Sequence, residues 1–144
     1  MITKATVQEA AVAAALAIQM WQETTLQELT RDFEEIIAGE ENAVFLLWKD
    51  EYAVGFAQCQ LRHDYVEGTE TSPVGYLEGI FVAEGYRHRG YAAKLLKACE
   101  TWTRQMGCTE FASDCELDND ASLMFHLRMG FVEANRVICF TKKL

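Results

Sequence analysis

The stretch that most constrains the fold joins a short apolar run, residues 76–82, to a basic turn at residues 87–92. Apolar side chains then recur at steps of three and four residues, at Ala92, Leu95, Leu96, Cys99, Trp102 and Met106. Alternating or continuous apolar runs of this length are typical of buried strands, and the later spacing is typical of an amphipathic helix. The stretch therefore predicts a strand that leads through a basic turn into a helix.

The basic turn has the properties of an anion site. Backbone N–H groups at a helix N-terminus lack partners within the helix, and the helix dipole favours negative charge there. Gly90 permits a close approach to the backbone, and Arg87 and Arg89 add positive charge. The turn has one glycine, so neither the G-x-G-x-x-G dinucleotide fingerprint nor the nucleotide P-loop fits. We expect a phosphate or pyrophosphate ligand, and the alternative is an ordinary connection with solvated arginines.

The other elements follow from periodicity and from turn residues. The first half predicts a strand at residues 2–7, a helix at 8–20 with an apolar side through Ala11, Ala15, Ile18 and Met20, and a helix at 25–38 closed by Gly39. It continues with strands at 43–48 and 53–62, a bend or bulge at Gly55, and a polar loop at 63–73. The second half predicts a helix at 90–107, a strand at 108–113, a helix at 121–129 and two closing strands within 131–143. This order predicts a mixed α/β sheet.

Composition places the chain among globular proteins, and we expect one domain over residues 1–144. Half of its 144 residues are hydrophobic, 24% are charged and one is proline. No apolar run has transmembrane length and the start lacks a signal-peptide pattern, so we expect no membrane association. Five cysteines without paired metal spacing indicate free thiols in a reducing cytoplasm and no metal site.

The charge distribution bears on the ligands. A net charge of −9 argues against nucleic acid as a partner. Residues 1–86 carry a net charge of −11 and residues 87–144 a net charge of +2. An acidic half beside a slightly basic half suits one cationic and one anionic ligand, although acidic helices can also be simply solvated faces.

The turn resembles the R/Q-x-x-G-x-G/A signature of the GCN5-related N-acetyltransferase (GNAT) superfamily. The resemblance implies an α/β GNAT fold: a mixed central sheet splayed between two parallel strands and flanked by about four helices. It also implies acetyl-CoA as the co-substrate. The residues that it assigns to cofactor binding are the turn itself, the backbone of the central strand and one asparagine: Arg87, His88, Arg89, Gly90, Tyr91, Ala92, Ile80, Phe81, Val82 and Asn119.

Two further residues carry the expected chemistry. Glu78 places a carboxylate inside an apolar strand and is followed by Gly79, which makes the pair a plausible bulge site. Glu78 would then point into the cleft beside the acetyl group, and the alternative is an outward-facing strand residue. His126 stands four residues before Gly130, where many superfamily members have the tyrosine that protonates the departing thiolate. An imidazole can serve as this acid, or it can be a packing residue.

Three blocks, residues 62–68, 72–82 and 111–114, resemble the aminoglycoside 6′-N-acetyltransferases, and specifically their chromosomal-type branch. The resemblance implies that Tyr65, Glu78 and Asp114 line an aminoglycoside site, that histidine suits position 126, and that the protein is a homodimer. An aminoglycoside is a polycation, and clustered carboxylates suit it better than an apolar pocket does. Trp21 is either a core aromatic or a wall of this cleft.

Deprotonation of the attacking amine requires a base. By sequence Glu78 is the best-placed base and Asp114 the second candidate, with direct attack in a ternary complex and a backbone N–H of the central strand stabilising the oxyanion. No cysteine has a recognisable nucleophile setting. Three alternatives stay open: an acetyltransferase for a polyamine or a protein N-terminus, a non-catalytic acyl-CoA sensor, and a structural or interaction module.

Overall fold

A five-stranded sheet in the order β1-β2-β3-β4-β5 forms the centre of the computed structural model, which describes residues 1–144. The strands are β1 (Ile2–Lys4), β2 (Asn42–Lys49), β3 (Tyr52–Arg62), β4 (Val74–Val82) and β5 (Phe111–Ala112). The first four strands pair antiparallel, and β5 pairs parallel to β4. The mixed α/β sheet that the sequence predicts is therefore confirmed.

Four α-helices flank the sheet: α1 (Ala10–Ala17), α2 (Leu26–Ala38), α3 (Tyr91–Gln105) and α4 (Asp120–Arg128). Two short 3-10 helices, Val7–Glu9 and Glu84–Tyr86, precede α1 and α3. Helices α1 and α2 pack with one face of β2 and β3, where Phe33 and Phe56 are buried. Helix α3 packs on the opposite face through Leu95, Leu96 and Cys99. The alternation of side chains along β2 and β3 supplies apolar residues to both layers.

The apolar side predicted for the first helix is wrong. Ala11 and Ala15 are exposed, while Ala13, Ala14 and Ala17 are fully buried. The helix also ends at Ala17, so Ile18 and Met20 lie in the turn after it. An alanine-rich helix is weakly apolar on every side, and the larger Leu16, which is buried, sets the buried side instead.

The predicted bulge at Glu78–Gly79 is confirmed. Gln58 of β3 pairs with Gly79 and the next residue, Cys59, pairs with Leu77, which leaves Glu78 as the extra residue of β4. A second irregularity lies beside Gly55, where Leu47 pairs with Gly55 and Trp48 with Ala53. Both glycine signals in the sequence thus mark real distortions of the sheet.

Strand β4 is splayed from β5. Only two pairs join the strands, Gly75 with Phe111 and Tyr76 with Ala112. Beyond Tyr76, the edge of β4 that faces away from β3 has no strand beside it as far as Val82. The strand predicted at 108–113 is therefore much shorter than expected, and its early end opens a gap beside β4.

The two closing strands predicted within residues 131–143 are wrong. Residues 131–144 form no strand or helix, and Val132, Val137, Ile138 and Phe140 are 72–88% exposed. The apolar residues have strand-like composition, but a strand also needs a neighbouring edge to pair with, which composition does not reveal. No helix of the chain has the length and apolar character needed to cross a membrane.

Candidate active site

The basic turn adopts the geometry of an open helix N-terminus. Gly90 is the N-cap of α3 in the left-handed region at φ 80°, and no side chain caps the helix. A Cβ at Gly90 would meet nothing within 4 Å, so the backbone is open to a ligand. His88 also has a positive φ, 61°, which is uncommon for a residue with a side chain. The first N–H groups of α3 thus point into accessible space with their hydrogen bonds available.

The two arginines of the turn lie differently. Arg87 donates from Nε to the carbonyl oxygen of Val82 at 2.7 Å, which anchors the turn to the end of β4. Arg89 places its guanidinium 5.9 Å from the ring centre of Tyr86. Arg87 therefore has a structural bond as well as its charge, whereas the Arg89 side chain has no ion pair in the chain.

A cleft of about 380 Å³ opens between the turn and α4. Its lining combines the end of β4, the turn and one side of α4: Val82, Tyr86, Arg87, His88, Gly90, Tyr91, Ala92, Ala93, Phe125, Arg128 and Met129. Five of the six turn residues predicted to bind the cofactor are in this lining, and Arg89 is not. Asn119 is the N-cap of α4, where its Oδ1 accepts from the N–H of Ser122 at 3.1 Å.

His126 lies on α4 within a closed set of hydrogen bonds. Its Nδ1 is 2.7 Å from the carbonyl oxygen of Ser122, and its Nε2 is 2.7 Å from the hydroxyl of Ser113. A carbonyl oxygen only accepts, so Nδ1 carries a proton and Nε2 faces Ser113. The rings of Phe131 and Phe125 stand 5.0 and 5.7 Å from the imidazole. Nε2 therefore accepts the hydrogen bond of the Ser113 hydroxyl, which lies just beyond β5.

Glu78 is held by two side chains of β3. Its Oε1 accepts from Gln60 Nε2 at 2.6 Å and from Arg62 Nε and Nη2 at 2.9 and 2.8 Å. Its Oε2 accepts from Arg62 Nη2 at 3.0 Å. The Glu78 side chain is 20% exposed and that of Arg62 is 37% exposed. The carboxylate is thus ion-paired and largely saturated with donors on the protein side.

Asp114 lies just beyond β5 and has a single protein donor. The phenol of Tyr76 donates to its Oδ2 at 2.5 Å. Burial, and then this hydrogen bond, raise the pKa of Tyr76 well above its usual value. The Arg62 guanidinium lies over the Tyr76 ring, 3.4 Å from its centre. Glu78 and Asp114, predicted to act together, are therefore connected through Arg62 and Tyr76.

Tyr65 and Trp21 border this network. Tyr65 is 77% exposed and lies with Arg62 and Asp64 at a second cleft of about 420 Å³ at the end of β3. Trp21 is half-buried, packs edge-on against Phe56 at 6.0 Å, and covers the bulge so closely that a Cβ at position 79 would lie 2.8 Å from its ring. Trp21 is thus packed against the core and also stands beside Glu78.

The loop between β3 and β4 is cross-linked to the start of β5. The Glu110 carboxylate accepts from the N–H groups of Glu70 and Thr71 at 2.9 and 2.7 Å and from the Thr71 hydroxyl at 2.5 Å. These bonds hold the pKa of Glu110 below its usual value, with the Thr71 hydroxyl as the main cause. The polar loop is therefore a fixed border of the second cleft.

Sequence reasoning missed four contributors to this site. Arg62 and Tyr76 lie within the blocks that it used, but only the sheet register shows that they touch Glu78 and Asp114. Ser113 lies within the third block, but only its contact with His126 reveals a role, and Arg128 is revealed only by its place in the cleft. No group of three or more His, Cys, Asp or Glu side chains is placed to hold a metal ion.

Comparison with known proteins gives one consistent answer. The model of the acetyltransferase (GNAT) family matches residues 11–131. Aminoglycoside N(6′)-acetyltransferase type 1 of Stenotrophomonas maltophilia is 42% identical over 99% of this chain and 93% of its own length. The enzyme of the same name from Salmonella typhimurium is 41% identical over 87% of this chain and 86% of its own.

Solved structures agree with these sequence matches. AAC(6′)-Iy in complex with a bisubstrate analogue, CoA-S-monomethyl-acetylneamine, superposes with a TM-score of 0.95 at 37% identity and covers 100% of this chain and 98% of that one. AAC(6′)-Ih from Acinetobacter baumannii gives a TM-score of 0.92 at 35% identity, with the same coverage. The splayed sheet, the open turn and these matches together establish that the chain belongs to the GNAT acetyltransferase family, within the group of aminoglycoside 6′-N-acetyltransferases.

Proposed function

We propose that this protein transfers the acetyl group of acetyl-CoA to the 6′-amine of aminoglycosides by direct attack in a ternary complex. The observation that carries the proposal is the gap beside β4: an open helix N-terminus lies at one end of it and two carboxylates at the other. One end suits a pyrophosphate and the other a polycation. The relatives are named for this activity, and one solved relative holds a CoA–aminoglycoside analogue.

The cofactor side of the proposal uses the turn and the free edge of β4. The N–H groups after Gly90, together with Arg87 and His88, bind the pyrophosphate of acetyl-CoA. The backbone of residues 80–82 pairs with the pantetheine arm, because this edge of β4 has no strand beside it. Arg128, which lines the same cleft without an ion pair in the chain, adds a positive charge for a phosphate.

The substrate side uses the carboxylates and their border. Glu78, held by Arg62, and Asp114 bind ammonium groups of the aminoglycoside, with Tyr65 and Trp21 as neighbouring contacts. The structure supports Asp114 as the base in preference to Glu78. One oxygen of Asp114 has no protein donor and is available to the 6′-ammonium, whereas both oxygens of Glu78 accept from Arg62.

The proton balance follows from this assignment. The 6′-ammonium gives a proton to Asp114, its nitrogen bonds to the acetyl carbon, and the carbon–sulfur bond breaks. The nitrogen loses its second proton as the amide forms, and the departing thiolate gains one through the Ser113 hydroxyl, so the protons balance. His126 Nε2 lies on that hydroxyl and orients it. A coenzyme A thiolate is a fair leaving group, so we assign His126 an assisting role.

The oligomeric state belongs to the same proposal. We infer a homodimer in which residues 131–144 pack against the second copy, because four of their apolar side chains are 72–88% exposed. Replacing Val137 and Phe140 together with aspartate should convert the dimer to a monomer in sedimentation experiments. A parental protein that sediments as a monomer would refute the inference. We also place the protein in the cytoplasm, where the exposed free thiols of Cys115 and Cys139 stay reduced.

The activity is tested with a pair of matched antibiotics. Release of free coenzyme A is followed with acetyl-CoA and an aminoglycoside that carries a 6′-amine, and then with an analogue that carries a 6′-hydroxyl. We expect turnover only with the aminoglycoside that carries a 6′-amine. Equal turnover with both, or faster turnover with spermidine or an N-terminal peptide, would assign a different acceptor. Acetyl-CoA binding without turnover on any amine would indicate a sensor.

A further inference from the structure

Tyr76 occupies the point where the sheet divides. It is the last residue of β4 that pairs with β5, opposite Ala112. Its side chain is 6% exposed and packs with Val66 and Val74 in a small apolar cluster. Its hydroxyl reaches out of this cluster to Asp114, which stands two residues beyond Ala112. A single side chain thus extends from the core to the carboxylate that we propose as the base.

The hydrogen bond from Tyr76 is the main contact that holds the Asp114 side chain in place. Residues 113–119 form no strand or helix, so the backbone there does not fix the side chain of Asp114. The Tyr76 hydroxyl is the only hydrogen-bond donor that the chain offers to this carboxylate. A buried phenol commonly needs a partner of its own, but a phenylalanine would fill the same space without that requirement. The hydroxyl therefore serves Asp114 rather than the packing.

The ring of Tyr76 contacts Arg62, the residue that holds the second carboxylate, Glu78. The Arg62 guanidinium lies over the ring at 3.4 Å and donates to both oxygens of Glu78. A planar guanidinium that stacks on an aromatic face is fixed in orientation. The hydroxyl and the ring face of one residue thus hold the positions of both carboxylates.

We propose that Tyr76 is a positioning residue, which fixes the Asp114 carboxylate through its hydroxyl and the Arg62–Glu78 ion pair through its ring. The proposal rests on the aminoglycoside acetyltransferase function. The hydrogen bond leaves the second oxygen of Asp114 for the substrate amine. Because burial raises the pKa of Tyr76, the phenol stays protonated and donates throughout the range of pH in which the enzyme is assayed.

The test is a Tyr76→Phe variant, which removes the hydroxyl and keeps the ring under Arg62. We expect kcat/KM for a 6′-amino aminoglycoside to fall about tenfold or more, as is usual when a hydrogen bond to a charged group is lost. The KM for acetyl-CoA should stay within about twofold of the parental value, since the cofactor cleft is untouched. Tyr52→Phe is the matched control, because Tyr52 is 75% exposed and lines neither cleft.

A double-mutant cycle separates positioning from packing. In an Asp114→Ala background the Tyr76→Phe change should cost less than about twofold, because its target is gone. The proposal would be overturned if the losses in kcat/KM of the two single variants multiplied in full in the double variant, or if Tyr76→Phe alone had parental kinetics. Either result would leave the enzyme an aminoglycoside acetyltransferase. Absence of turnover in the parental protein would instead overturn the function, and the positioning role with it.

Discussion

The division of labour between the two carboxylates predicts the effect of Glu78→Gln. The substitution keeps the shape of the side chain but removes its charge and turns one acceptor oxygen into a donor. In the parental protein Arg62 donates to both oxygens of Glu78, so the variant must lose at least one of these hydrogen bonds. A hydrogen bond to a charged group contributes about 1.5–3 kcal/mol, and partial exposure places this one near the lower end, about 1–2 kcal/mol.

This loss has separate consequences for stability and for kinetics. A chain of this size should melt about 3–7 °C lower and stay folded at assay temperature. If Glu78 binds an ammonium group, kcat/KM for 6′-amino aminoglycosides should fall about tenfold to thirtyfold, almost entirely through KM. Asp114→Asn should instead lower kcat by about a hundredfold or more, because it removes the base.

The assay is steady-state coenzyme A release at saturating acetyl-CoA, with thermal melting of every variant. Glu51→Gln, an exposed carboxylate in the turn between β2 and β3, is the matched control and should match the parent in both measurements. If Glu78→Gln loses a hundredfold in kcat at unchanged KM while Asp114→Asn alters only KM, the assignment is reversed and Glu78 is the base.

Four further predictions concern the cofactor side and the loop. Gly90→Asp should weaken acetyl-CoA binding at least about a hundredfold in calorimetry, because it places a like charge against the pyrophosphate, whereas Gly85→Asp nearby should leave binding unchanged. Arg128→Gln should raise the KM for acetyl-CoA about tenfold. If the variant, unlike the parent, has the same KM for acetyl-CoA and for acetyl-dephospho-CoA, Arg128 binds the 3′-phosphate. An unchanged KM for acetyl-CoA would mean that Arg128 is only a charge at the end of a helix. His126→Ala should lower kcat by less than about ten-thousandfold, and a larger loss would make it the essential acid. Hydrogen bonds lower the pKa of Glu110, so its carboxylate stabilises the fold above pH 4.5 and this contribution is lost as the pH falls through the lowered pKa. The difference in melting temperature between the parent and Glu110→Gln should therefore shrink below pH 4.5.

The sequence predicted best where one local signal dominates. The β4–turn–α3 stretch combines a strong apolar run, a single glycine and a strict helical spacing, and the structure has all three in that order. The bulge at Glu78 was predictable because a carboxylate followed by glycine is costly inside a regular strand. Gly90 likewise marks the left-handed residue that opens α3.

The sequence predicted poorly where the outcome depends on distant parts of the chain. Arg62 meets Glu78 and Tyr76 because the register of β3 against β4 brings them together, and spacing along the chain does not reveal that register. The prediction of two closing strands was wrong for a related reason. The apolar residues near Val137 and Phe140 indicate a segment that favours burial, but the sequence does not show which surface would bury it. The ion pair of Glu78 with Arg62 depends on the same register, so it too is absent from the sequence pattern.

The bulge explains why the site needs Gly79 as well as Glu78. An extra residue in β4 lets two successive positions, 78 and 79, turn toward the same face of the sheet. One of them must then be free of a side chain, since Trp21 covers that face at 2.8 Å from a Cβ at position 79. The other places its carboxylate beside Arg62, which lies over the ring of Tyr76, the hydrogen-bond donor to Asp114. The bulge thus turns an acidic side chain toward this face, while the early end of β5 leaves the other edge of β4 free.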